Sequence, residues 1–164
     1  RRPPAVHVCG VFLIPGISVA IGVAREPVWL GDQASFQTNV VGAMLMAREA
    51  AKRFDEQRSG HLINISSTSG LSGGKTSTAY SGSKFALRGM TECWRAELRP
   101  FDVRVTLVNP SEVQTPFFEK LGRKQELSEK KLRPEEIARA IVGALEIDDR
   151  GFIPELSVFA TNPF

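Results

Sequence analysis

A chain of 164 residues with 42% hydrophobic and 24% charged residues has the composition of one folded domain, which argues against a disordered or low-complexity segment. Its net charge of +3 comes from basic residues that alternate with acidic ones along 119–139, so the clustered footprint of a nucleic-acid binder is absent. Cys9 and Cys93 stand in no CxxC or Cys/His ligand spacing, which speaks against a disulfide scaffold or a metal site and for a reducing, cytoplasmic setting.

Residues 1–24 begin with two arginines and continue as an uncharged run, the outline of a signal peptide or membrane span. Pro3, Pro4 and Pro15 with Gly10, Gly16 and Gly22 break that run, so a buried strand over 6–14 is the reading preferred to a membrane segment. From 33 to 57, Phe36, Val40, Val41, Met44, Leu45, Ala47, Ala51 and Phe54 recur at helical spacing and predict one long helix. Asn39 sits early in it, either as a polar residue on an exposed face or as a buried amide.

Residues 62–65 form a short apolar, β-branched run that predicts a buried strand delivering Ser66 and Ser67 to its carboxyl end. A loop punctuated by Gly70, Gly73 and Gly74 follows, and Ser77 or Thr78 then caps a helix over 79–99 that Pro100 ends. Cys93 in this helix reads as a small core or interface residue. Residues 103–108 predict a second buried strand, after which Pro110 turns the chain toward Thr115. The charged stretch 116–132 reads equally as a lid over a substrate or as a solvated helical face. Pro134 with Glu135 and Glu136 opens a helix running to about residue 145, and 152–160 predicts a last strand.

The chemistry concentrates between residues 60 and 84. Residues four apart on a helix share a face, so Lys84 is expected beside Tyr80, where a cation lowers the phenol pKa from about 10 and makes it a usable acid or base. Ser67, at the mouth of the preceding strand, can hydrogen-bond a substrate oxygen placed between the two. This set suits proton transfer to a carbonyl.

Ser67, the run Tyr80-Ser81-Gly82-Ser83-Lys84 and the following Phe85-Ala86-Leu87 resemble the catalytic segment of the short-chain dehydrogenase/reductase family. TNVVGA around Asn39, VTLVNPSEVQT over 105–115, RPEEIA over 133–138 and the ending FIPELSVFATNP extend the resemblance, in particular to 3-oxoacyl carrier-protein reductases. It covers roughly residues 26–164. The resemblance implies a Rossmann-like, doubly wound, mostly parallel α/β sheet and a catalytic set of Asn39, Ser67, Tyr80 and Lys84. It also implies NADP or NAD held by Tyr80, Lys84, Pro110, Ser111, Val113 and Thr115, with no metal. By the same token Asn39 anchors a water leading to Lys84, and the two long helices pack in a homodimer or homotetramer. The substrate class is a small carbonyl or alcohol compound, with neither nucleic acid nor membrane as partner.

Three departures accompany it. Ile14-Pro15-Gly16 stands near the place of the family's Asn-Asn-Ala-Gly motif, and Ser111 replaces the glycine that usually follows Pro110. No counterpart of the first glycine-rich βαβ unit precedes residue 26. The expectation is therefore a single, N-terminally truncated domain over 1–164, the catalytic carboxyl-terminal portion of the fold, with 1–25 unassigned and weak dinucleotide binding by this chain alone.

Other chemistries fit the same residues less well. Residues 69–76, SGLSGGKT, would be a phosphate-binding P-loop of a nucleotide hydrolase if a glycine stood at Ser69, and the strand over 103–108 lacks a terminal aspartate to hold magnesium. Ser81-x-x-Lys84 has the spacing of serine acyl enzymes, without their Ser-Asp-Asn or Lys-Thr-Gly partners. A non-catalytic homologue acting as a dimerising interaction module is the alternative from another class.

Overall fold

The computed structural model describes residues 35–115 and 128–162; the expected strand at 6–14 and most of the stretch 116–132 lie outside the described residues. Three strands, β1 (Gly60–Ile65), β2 (Val103–Pro110) and β3 (Glu155–Val158), form a parallel sheet in the order β1-β2-β3. Leu62 pairs with Val105 and Asn64 with Leu107 across the first interface, and Leu107 pairs with Glu155 across the second. Parallel pairing requires a long crossover. Helix α2 (Thr78–Leu98) lies between β1 and β2 in sequence, and α3 (Pro134–Leu145) between β2 and β3.

Successive strand residues point to opposite faces, so each neighbouring apolar pair feeds two cores. Leu62, Val103 and Val105 pack against Ala47, Ala50 and Phe54 of α1 (Ala43–Gln57) and Leu98 of α2. Ile63 and Val108 pack against Ile137 and Ile141 of α3, with Leu132 beside them. Helices thus cover both faces. That is the doubly wound α/β arrangement, and burial on both sides explains why β1 and β2 read as nearly continuous apolar runs.

The ends of the elements follow local chemistry. Helix α1 stops at Arg58, which takes a left-handed φ of 53°; its guanidinium lies 4.8 Å from the centre of the Phe101 ring and donates to Pro100 O at 2.7 Å. In α3, Pro134 occupies the first turn, and Glu136 Oε2 accepts from Arg133 N–H at 2.6 Å, satisfying a donor that the helix itself leaves unpaired. Arg95 of α2 straps the helix to the sheet, donating to Val105 O at 3.1 Å and to Pro154 O at 2.6 Å.

Several expectations need correction. The helix over 33–57 is not uniformly α: Gln37–Gly42 is π-helical before α1 begins. Phe36, Met44 and Leu45 lie at 41%, 47% and 45% exposure, because the smaller Ala43, Ala47 and Ala50 face the sheet instead. Cys93 is exposed, not a core residue. The last strand is shorter than 152–160, since pairing with β2 spans only Glu155–Val158, with Pro154 exposed just before it.

Candidate active site

The site is built where β1 and β2 end. Beyond β1, Ser66 N–H still reaches Val108 O at 2.7 Å, so the chain leaves the sheet only at Ser67. Ser67 is extended (φ −168°, ψ 160°), and its Oγ accepts from Ser69 N–H at 3.1 Å, starting the tight turn Thr68–Gly70. Gly70 is buried, and a Cβ there would stand 2.7 Å from Ser66 Oγ and 3.1 Å from Lys84 O. Only a glycine lets this turn close against α2, which gives the glycine a packing task in place of the phosphate contact weighed above.

Ser77 occupies the position before α2, but its hydroxyl donates to Gly74 O at 3.0 Å and shares a 2.9 Å hydrogen bond with Ser81 Oγ rather than capping the helix. One turn in come Tyr80 and, four residues on, Lys84. The lysine is buried, and its Nζ donates to Ile65 O at 3.0 Å while lying 5.8 Å from the centre of the Tyr80 ring. Burial pushes its ammonium down to about 8. Tyr80 moves opposite to the expectation: burial raises the phenol above its ordinary value, and a side-chain hydrogen bond with Ser67 pulls it only partly back. The burial that raises the phenol also lowers Lys84, since each loses water that would solvate its charged form.

Asn39 is buried within the π-helical segment, at 2% exposure, so the exposed-face alternative fails. Its Nδ2 donates to Ser83 Oγ at 3.0 Å, and Ser83 donates its own proton to Tyr80 O at 2.8 Å. The asparagine is therefore coupled to the backbone of the tyrosine through Ser83. A π-helical insertion is a common device for turning one side chain out of the regular helical pattern toward a site. Ser83 belongs to the Tyr80–Lys84 motif, and its place three residues after Tyr80, on the same helix face, is the sequence signal for this coupling.

The second group of expected residues lies on the next strand. Pro110 pairs with Val158 at the end of β2, and Ser111 N–H donates to Val158 O at 2.9 Å. Val113 forms a parallel bridge with Leu132, and Gln114 N–H donates to Leu132 O at 2.8 Å. The Ser66 to Val108 bond aligns the ends of β1 and β2, so Pro110 and Ser111 stand at the same carboxyl edge of the sheet as Ser67, the edge where open α/β folds take their ligands. Just inside that edge, the fully buried Asn109 donates to Glu155 Oε1 at 2.9 Å while Arg88 of α2 holds Oε2 at 3.3 Å. Asn109 Oδ1 is buried without a hydrogen-bond partner among the described residues. Arg88 carries no signal in a single sequence beyond its polarity, while Asn109, Gln114 and Glu155 stand inside the segments 105–115 and 152–163 with no individual role to be read from them.

A family model described as "short chain dehydrogenase" matches residues 31–126. The chain belongs to the short-chain dehydrogenase family. An uncharacterized oxidoreductase of Staphylococcus saprophyticus is 35% identical over 142 residues, covering 87% of this chain and 58% of the relative. The 3-ketodihydrosphingosine reductase of Bos taurus is 34% identical over 111 residues, covering 63% of this chain and 33% of the relative. The chain thus spans between a third and three fifths of the length of these curated members of the family.

Solved structures give the same fold. The closed form of serine dehydrogenase complexed with NADP+ superposes with a TM-score of 0.78 at 21% identity, covering 91% of this chain and 64% of that one. ElxO with NADP bound gives 0.76 at 26% identity, covering 87% and 62%. Among the described residues no helix is long and apolar enough to cross a membrane.

Proposed function

We propose that the protein is a nicotinamide-dinucleotide-dependent oxidoreductase that reduces a carbonyl to an alcohol, or runs the reverse oxidation, with Tyr80 as the proton donor. The observation that carries this reading is the Tyr80 phenol hydrogen-bonded to Ser67 with the buried Lys84 ammonium nearby. A phenol that holds its proton at neutral pH can give it to a carbonyl oxygen as that oxygen gains negative charge, which is the part of a general acid. Ser67 orients that oxygen from the other side. Lys84, held by Ile65 O, keeps positive charge close to the oxyanion that develops as the carbonyl is reduced. Asn39 supports the arrangement through Ser83.

NADP or NAD is the cofactor in this reading, supported by the NADP-bound ElxO and by 4-hydroxyisoleucine dehydrogenase complexed with NADH. The residues present fit it: Pro110 ends β2, Ser111, Val113 and Thr115 follow it past the carboxyl edge of the sheet, and the orphaned Asn109 Oδ1 marks buried polar capacity there. When bound, the nicotinamide supplies or accepts hydride. In this reading Tyr80 and Lys84 would hold its ribose side, and residues 110–115 would hold its carboxamide. The substrate is a ketone in the reading supported by the likeness to 3-oxoacyl reductases and by the name of the bovine relative.

Tyr80→Phe tests this directly. Carbonyl reduction by the variant is expected to fall by about 10²- to 10⁴-fold with an unchanged thermal melt. Turnover close to the parent's would overturn the assignment of the proton donor.

Exposed Phe36, Met44, Leu45 and Met46 before and within α1, with Phe85 on α2, form apolar surface on the two long helices, which supports a homodimer or homotetramer. Light scattering tests the assembly, and an assembled protein without reductase activity would favour the non-catalytic interaction module. The exposed free Cys93 supports a reducing, cytoplasmic location.

A further inference from the structure

Gln114 lies between Val113 and Thr115, and its side-chain amide behaves as an added peptide group. Its Oε1 accepts from Ser128 N–H at 2.8 Å, and its Nε2 donates to Ser128 O at 2.8 Å and to Lys131 O at 3.2 Å. A primary amide has one carbonyl and two N–H donors, so each of its functions is engaged. Ser128 is matched through both its N–H and its carbonyl, as a neighbouring strand would match it. The main chain continues the pairing, with Gln114 N–H on Leu132 O at 2.8 Å beside the Val113 to Leu132 bridge.

The surroundings add to this. Lys131 Nζ pairs with Glu112 Oε1 at 2.8 Å, and Ser111 N–H is held by Val158 O. Residues 111–114 are therefore fixed from two sides, by β3 and by residues 128–132. Few side chains can replace the glutamine in this place. Glutamate keeps the acceptor for Ser128 N–H but sets a carboxylate oxygen against two carbonyls, and alanine leaves one N–H and two carbonyls without their partner.

We propose that Gln114 is a positioning residue for the nicotinamide end of the cofactor, tying residues 111–115 to Ser128 and Lys131 so that Val113 and Thr115 are set before the dinucleotide arrives. The inference rests on the cofactor reading above. A loop fixed in its bound geometry binds without an ordering cost, whereas a loosened one has to be ordered at each binding event. The effect falls on the part of the ligand that this loop touches and spares the rest.

The test uses two ligands and two variants of the full-length protein. NADPH is titrated calorimetrically beside 2′-phospho-ADP-ribose, which shares its adenine end and diphosphate but has no nicotinamide; NADH and ADP-ribose replace them if the parent prefers NAD. In Gln114→Glu and Gln114→Ala the Kd for NADPH is expected to rise about tenfold while the Kd for the fragment stays at the parent value. Amide exchange at Ser128 is expected to quicken in Gln114→Ala and to remain slow in Gln114→Glu, which retains the acceptor. Unchanged NADPH affinity, or an equal loss for both ligands, overturns the positioning role. A parent that binds neither NADPH nor NADH removes the cofactor reading and this inference with it, and the parent titration alone separates the two failures.

Discussion

The two ends of the β1 and β2 pair are built from opposite materials. At the amino end, Leu62, Val103 and Val105 close against Phe54, Leu98 and the alanines of α1 in an apolar cluster. At the carboxyl end Val108 still belongs to an apolar core, but the buried side chains include Asn39, Ser66, Ser83, Lys84 and Asn109. Burying polar groups is costly unless each finds a partner, and here partners are supplied one by one, from Ile65 O for Lys84 to Glu155 for Asn109. The contrast teaches that stability is concentrated at one end so that the other can hold groups a folding chain would rather leave in water.

Substitutions at the two ends should therefore act on stability for different reasons, through lost packing at the amino end and through desolvation and lost hydrogen bonds at the carboxyl end. Phe54 is 1% exposed and packs over Gly60, where a Cβ would run into its ring. Phe54→Ala is expected to destabilise the protein by about 3–5 kcal/mol in denaturant titration while leaving the Tyr80 group assembled below the melt. A loss under 1 kcal/mol would show that the amino end is not the anchor.

At the other end, Lys84→Met should stabilise the fold at pH 7 while removing activity. The folded-state pKa of Lys84 is about 8 against an ordinary 10.5, so the unfolded chain holds the proton more tightly. That penalty is fully present below about pH 8 and fades as pH rises toward 10.5. The gain in Lys84→Met is thus up to about 3 kcal/mol at pH 7, reduced by the lost bond to Ile65 O, and it disappears in alkali. A variant less stable than the parent at pH 7 would show that the ammonium is well satisfied where it lies.

Ser83→Ala is a smaller probe of the same end. It strands the buried Asn39 amide, and about 1–3 kcal/mol of stability should go with it. Asn39→Ala combined with Ser83→Ala should then lose less than the sum of the single changes.

The smallest effect belongs to the one polar network nearer the amino end. Thr106 donates to Ile153 O at 2.6 Å, so at the 2.8 Å contact with His61 Nε2 the histidine must be the donor. Its Nδ1 is buried without a partner, and burial with nearby Arg104 brings its pKa down to about 4. The unfolded chain takes up this proton first, below about pH 6.5. Stability from the neutral ring is complete above that value and is lost as pH falls toward 4, by about 1 kcal/mol once its partial exposure is allowed for. In His61→Gln the acid limb of the stability profile should flatten by that amount; an unchanged limb would assign it to carboxylates alone.

The regular elements were legible because they rest on local rules. Pro134 with two glutamates marked α3, Pro100 marked the end of α2, and the apolar runs marked β1 and β2. What escaped depends on distant partners. Met44 and Leu45 share the helical spacing of the apolar residues over 33–57, but which face meets the sheet is decided by how closely α1 approaches, and alanines allow the closer approach. The Tyr80 and Lys84 pairing was readable from spacing, yet the direction of the phenol shift was not, because spacing reports the charge and says nothing of the water removed. Gln114 and Ser128 meet only because the chain returns beside its own loop.

Ser67, Tyr80 and Lys84 all lie in the connection that carries the chain from β1 to β2, whose first pair joins Gly60 to Val103. That pairing is a long-range event, and contacts so distant in sequence form slowly. The bond from Lys84 to Ile65 O ties the crossover to the strand it has just left, and the bond from Ser66 N–H to Val108 O ties the end of that strand to β2. During synthesis, a chain released before Val103 carries Ser67, Tyr80 and Lys84 and still lacks the strand against which β1 pairs.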